Sequence, residues 1–76
     1  MKTQYPERYK MLGLKIAYYR KMAEMTQEQF ADKIDRSVSF IAQVEGTGTT
    51  RGVSLETLFR MAEALGIPPS KLLADD

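Results

Sequence analysis

Apolar residues recur along this chain at helical spacing, and polar breakers separate the stretches. Leu12, Ile16 and Tyr19 fall at i, i+4 and i+7, which predicts a helix from about Pro6 to Ala23 with that face turned inward. Pro6 suits a first helical turn, where its missing N–H costs nothing. Phe30, Ala31 and Ile34 mark a second helix, and Ile41 and Val44 a third. Met25 is expected to plug the space between the first two. The run from Gly46 to Val53 is rich in glycine and threonine, so it is expected to be a loop. Leu55, Leu58, Ala62 and Leu65 form the predicted stripe of a fourth helix that Gly66 ends. Ile67 packs after that stop. Pro68-Pro69 then opens a short fifth helix, Ser70 to Ala74, with Leu72 and Leu73 both able to face inward. No stretch shows strand alternation and no repeat is visible, so the predicted class is all-α, five short helices in a compact bundle.

Capping chemistry sharpens the middle of this pattern. Thr26 is a good N-cap, and Gln29 completes a Thr-x-x-Gln capping box. Asp35-Arg36-Ser37 interrupts the apolar period. Asp35 tolerates the left-handed backbone of a tight turn, and Ser37 caps the next helix. Ser54 plays the same part for the fourth. Residues 26–45 therefore read as two short helices joined by a tight turn, the layout of a helix-turn-helix. The second helix of such a pair is the right size for the DNA major groove. Ser39, Ala42 and Gln43 lie off its apolar face, and their small or uncharged side chains can approach base edges.

Composition narrows the classes. Seventy-six residues make at most one domain, taken as residues 1–76 with a helix-turn-helix core at 26–45 and a long loop at 46–53. Its core is marginal and needs tidy packing or a partner. The absence of cysteine and histidine rules out disulfides and a Cys/His zinc site, and fits a reducing cytoplasm. No stretch approaches a membrane span, and the N-terminus lacks an apolar signal region. An enzyme is not expected: there is no His or Cys and no paired acidic metal motif. Gly46-x-Gly48 lacks the preceding strand of a phosphate-binding loop. No cofactor is expected. Met11, Met22, Met25 and Met61 read as core filler.

The net charge is only +1, which argues weakly against nucleic acid as a partner. Its distribution softens that objection. Lys2, Arg8, Lys10, Lys15, Arg20 and Lys21 crowd the first 21 residues against Glu7 alone, while Asp75 and Asp76 sit at the far end. Either the first helix has an ordinary solvated charged face, or that face meets phosphate.

Three stretches, in this order and spacing, resemble the phage lambda repressor/Cro-type helix-turn-helix (Xre) family. They are Arg20-Lys21 through Met25-Thr26-Gln27-Glu28, then Ser39 to Glu45, then Ser54 to Leu58 with Ala62 to Ile67. The likeness runs from Leu12 to Leu73, about four-fifths of the chain. It implies the lambda-repressor-like DNA-binding domain, with the third helix as recognition helix. By position, Val38, Ser39 and Gln43 match the base-reading residues. The Gln43 amide suits bidentate pairing with adenine N6 and N7, Val38 a thymine methyl, and Ser39 a base or a phosphate. Gln27 corresponds to a residue that starts the second helix against the DNA backbone or a base edge. Arg36, Ser37, Phe40 and Arg51 fall at backbone or flank positions, with packing outweighing base contact for Phe40. Arg20 and Glu45 occupy positions that pair in some relatives and orient the recognition helix.

Several positions depart from the family pattern. Val38 stands where many relatives carry Arg or Gln, which leaves Glu45 as the recognition helix's only charge. Gly46-Thr47 replaces a common basic-glycine turn, and the loop before Ser54 is about two residues longer than usual, with Arg51 its one basic residue. Glu24 and Asp35 stand where glycine is frequent. If Arg36, Arg51 and the helix 1 cluster neutralise about three to five phosphates, the log–log salt slope is roughly −3 to −5 per monomer, and double in a dimer. The expected function is a sequence-specific regulator of transcription, bacterial or phage-encoded and cytoplasmic. It is expected to repress as a homodimer on double-stranded DNA at a pseudo-palindromic operator, with dimer contacts from helix 5 or the flanks of helix 4. The alternative is an antitoxin or other protein-interaction module that keeps the fold and binds a toxin or another protein.

Overall fold

Three of the helices begin where a side chain takes over for a missing backbone partner. The computed structural model describes residues 3–46 and 50–75. Its helices are α1 (Pro6–Met22), α2 (Gln27–Lys33), α3 (Val38–Glu45), α4 (Leu55–Leu65) and α5 (Ser70–Leu73). There is no strand among the described residues. The Thr26 hydroxyl accepts from the Gln29 N–H at 3.1 Å, and the Gln29 side chain accepts from the Thr26 N–H at 2.8 Å, closing the capping box. Ser37 accepts from the Phe40 N–H and Ser54 from the Thr57 N–H, both at 3.1 Å.

Three helices stop through one device. After α1, the Met25 N–H reaches back to the Arg20 carbonyl while Glu24 turns left-handed at φ 58°. After α2, the Arg36 N–H donates to the Ala31 carbonyl, with Asp35 at φ 57°. After α4, the Ile67 N–H donates to the Ala62 carbonyl, with Gly66 at φ 71°. This six-to-one bond satisfies a terminal carbonyl and reverses the chain sharply. Only the last instance uses glycine, so the first two hold a side chain in a region that L-residues visit at some cost.

The core takes Ile16 from α1, Phe30 and the adjoining Ile34 from α2, Ile41 from α3, Met61 from α4 and Leu72 from α5, all essentially sealed from solvent. Leu12, Ala31, Val44, Leu58, Ala62 and Leu65 complete it. Tyr19, Met25 and Ile67 pack against its edge, as their spacing predicts.

Four apolar expectations are corrected. Leu55 is 66% exposed, because the inward stripe of α4 is rotated toward Thr57, Leu58 and Met61 and leaves the first turn outside. Leu73 is 58% exposed, since neighbouring residues of a helix point about 100° apart and Leu72 takes the inward place. Met11 and Met22 are surface residues rather than filler. The expected separation of basic N-terminus and acidic C-terminus does not survive folding either, because Arg8 forms an ion pair with Asp75. Lys2, Thr47, Gly48, Thr49 and Asp76 lie outside the described residues.

Candidate nucleic-acid interface

The turn between α2 and α3 presents α3 with one face buried and one face open. Ile41 and Val44 anchor it to the core. Val38, Ser39, Ala42 and Gln43 lie on the opposite, exposed side. The three expected base-reading side chains therefore share one surface. It carries no net positive charge: Glu45 is the only charged residue of α3, and it is neutralised.

That neutralisation is the most built feature of the site. The Arg20 Nε donates to Glu45 Oε2 at 2.7 Å and Nη2 donates to Oε1 at 3.0 Å, a bidentate fork. Both side chains keep a tenth or less of their surface. The remaining Nη1 of Arg20 donates to the Met25 carbonyl at 2.8 Å, tying the pair to the turn after α1. Gln27 joins from the start of α2, its Nε2 donating to Glu45 Oε1 at 3.1 Å. Glu45 thus collects α1, α2 and α3 at one point. Its hydrogen bonds hold the Arg20 guanidinium above its ordinary pKa, with Coulomb attraction adding and burial opposing. The expected Arg20–Glu45 pairing is present, and Gln27 is turned at least partly inward on it.

The flank residues split into two groups. Arg36 leaves the turn to meet α4. Its Nη2 donates to Thr57 Oγ1 at 3.0 Å and its Nη1 to the Asp35 carbonyl at 3.1 Å. Ser54 also donates to Thr57 Oγ1, at 3.0 Å. The Arg51 guanidinium lies 5.1 Å from the centroid of the Phe40 ring, a cation–π contact between α3 and the segment before α4. Phe40 itself packs against the core edge. Gln43 lines a polar recess with Thr50 and Arg51, so its amide sits beside the loop as well as on the outward face. Ser37 spends its acceptor on the Phe40 N–H.

A family model described as helix-turn-helix matches residues 16–72. The chain belongs to the helix-turn-helix family. The match includes α2, the turn, α3 and α4 entire. Among solved structures, this helix-turn-helix chain is similar to the restriction-modification controller protein C.AhdI from Aeromonas hydrophila. They are 28% identical, with a TM-score of 0.77 over 84% of this chain and 94% of that one. It also superposes on a hypothetical transcription factor, NHTF, from Neisseria, with a TM-score of 0.80 over 88% of this chain and 75% of that one; at 22% identity the likeness shows the fold alone. No curated protein matches. The lambda repressor/Cro-type resemblance and the five-helix, all-α class are thereby shown.

Two structural residues of this helix-turn-helix were missed in the sequence. Gly13 lies where a Cβ would stand 2.3 Å from the Val44 carbonyl oxygen, so the α1 and α3 backbones nearly touch there. A glycine inside a helical pattern is the signal that marks such close approach. Thr57 is buried and receives two side-chain hydrogen bonds, and its signal was a polar residue on the inward side of α4.

Proposed function

We propose that this protein is a sequence-specific DNA-binding transcriptional regulator that represses from a pseudo-palindromic operator as a homodimer. The observation that carries the proposal is the outward face of α3, which projects Val38, Ser39 and Gln43 while its opposite face is sealed into the core. A helix held this way enters the major groove as a rigid reader. Gln43 would pair with adenine N6 and N7, Val38 would pack on a thymine methyl, and Ser39 would donate to a base or a phosphate. Arg36, Ser37, Phe40 and Arg51 would meet the flanking backbone. Gln27, with its amide N–H committed to Glu45, would offer its carbonyl oxygen to the same region. Arg20 and Glu45 would hold the helix at its angle. The reading needs no cofactor and no catalytic residue, and it takes the protein as cytoplasmic and bacterial or phage-encoded.

The 28%-identical neighbour is a restriction-modification controller protein, which favours gene regulation. A dimer is favoured by the exposed Leu55, Phe59, Leu73 and Tyr5. Leu55, Leu73 and Tyr5 border an apolar cleft of about 340 Å³ between α1, α4 and α5. A dimer formed there would read two half-sites if it set its recognition helices about one turn of DNA apart. One observation favours the alternative of an antitoxin or protein-interaction module: α3 brings no positive charge of its own to DNA.

Selection of bound duplexes from a random pool at low salt tests the proposal, with Gln43→Ala as control. The expected result is a pseudo-palindromic motif that relaxes at one position per half-site in the variant, at a cost of about 1–3 kcal/mol there. No enrichment from folded, helical protein would reject DNA reading and favour the interaction module.

A further inference from the structure

The exposed side of α1 carries an apolar stripe that the fold does not use. Met11, Leu14, Tyr18 and Met22 are 46%, 51%, 57% and 66% exposed, although three of them have the size and chemistry of core residues. Their spacing of three, four and four residues puts them on one face, directly opposite the Leu12–Ile16 face that packs the core. Helix α1 is therefore apolar on two sides. Along its axis the stripe covers about 16 Å, or three turns. Tyr18 is not loose on this surface. Its ring stands edge-on to Tyr19, centroids 5.0 Å apart at 82°, and Tyr19 packs against the core edge. Beside it, Met11, Leu14 and Tyr18 border a shallow open concavity of about 340 Å³. Except for Met11, the stripe is separate from the cleft assigned above to a second copy.

The edges of the stripe are basic. Lys10 and Lys21 run along one side, Lys15 and Arg8 along the other. Against them stand Glu7, the only acidic residue of α1 and an exposed partner of Lys10 at 3.7 Å, and Asp75, which pairs with Arg8, so the edges keep a net positive charge. Arg20, the remaining cation of this helix, is turned inward to Glu45. Packing two copies of α1 against each other would set lysine rows against lysine rows, which disfavours self-association through this face. A helix with an apolar seam and acidic edges does not meet that obstacle.

We propose that the outward face of α1 is a docking surface for an acidic amphipathic helix of a partner protein, about three turns long, packed along Met11, Leu14, Tyr18 and Met22 with its carboxylates against Lys10 and Lys21. The site is independent of the DNA-reading face and does not rest on it. Two labelled peptides of about 21 residues test it, both with leucine at heptad a and d positions, one with glutamate and one with lysine at e and g. The acidic peptide is expected to bind, and to weaken as NaCl rises from about 50 to about 500 mM. The lysine peptide is expected to bind at least about tenfold more weakly. Leu14→Ser and Tyr18→Ser, both at exposed positions, should each weaken the acidic peptide about tenfold while circular dichroism stays unchanged. Lys10→Glu with Lys21→Glu should reverse the preference between the peptides, a response that mere apolar stickiness would not give. Equal binding of both peptides, no binding of the acidic one, or insensitivity to the stripe variants would overturn the proposal. So would a stable dimer dissociated by Leu14→Ser, which would give the stripe to a second copy.

Discussion

Arg20 shows how a single side chain ties the fold to the proposed reading surface. Its guanidinium meets both carboxylate oxygens of Glu45 and the Met25 carbonyl, so three donors are used in a nearly dry site. A pair of this kind adds modest net stability over an apolar replacement, yet removing one member is costly because the other charge is left buried. Arg20→Ala is therefore expected to lower folding stability by about 3 kcal/mol. If the pair also orients α3, DNA affinity of the folded fraction should fall by more than the stability does, measured below the unfolding transition. A loss of stability with unchanged affinity would assign the pair to the fold alone. Because the Arg20 pKa is raised on folding, its contribution is fully present below the unfolded value and fades only as pH rises through the folded one, in strong alkali. The resemblance made this pair legible in the sequence. Its third partner, Gln27, was legible only as a candidate for DNA, because nothing local says which way a long amide turns. The left-handed Asp35 was readable from the residue type, and Glu24 only from its departure from a position where relatives carry glycine.

At the scale of elements, the caps and stripes of α2 and α3 followed from sequence because each depends on residues three or four apart. What α1 does against α3 does not. Gly13 removes the side chain where the two backbones meet, and the oxygen it accommodates belongs to Val44, far along the chain. In an isolated helix, glycine to alanine gains about 1 kcal/mol. Here the added carbon would lie 2.3 Å from backbone, which cannot swing aside as a flexible side chain can. Gly13→Ala is expected to destabilise by about 2–3 kcal/mol in chemical denaturation. Stabilisation instead would mean that α1 and α3 stand further apart in solution. The misjudged inward places of Leu55 and Leu73 belong to the same scale. Periodicity gives the angular width of an apolar stripe, and neighbouring elements decide which edge of it is covered.

For the whole molecule, charge is the quantity that folding rearranged. Arg8 is paired with Asp75, Arg20 is buried, and Arg51 lies on Phe40. Fewer cations are free for phosphate than the sequence count suggests, so the salt dependence of DNA affinity should fall at the shallow end, a log–log slope of about −3 per monomer and about −6 for a dimer. A titration of affinity against salt checks this, and a slope near zero would exclude phosphate contact. With no histidine or cysteine in the chain, affinity at constant ionic strength should stay flat between about pH 6 and pH 8.

By itself the sequence determined the five helices, their caps, most of the core and the turn that sets α3 apart, because hydrogen bonding and periodicity act over a few residues. Tertiary structure alone decided the Thr57 cluster, the near contact at Gly13, the inward turn of Gln27 and the unpartnered apolar stripe on α1. Those depend on which distant residues arrive at the same place, and short-range spacing carries no record of that.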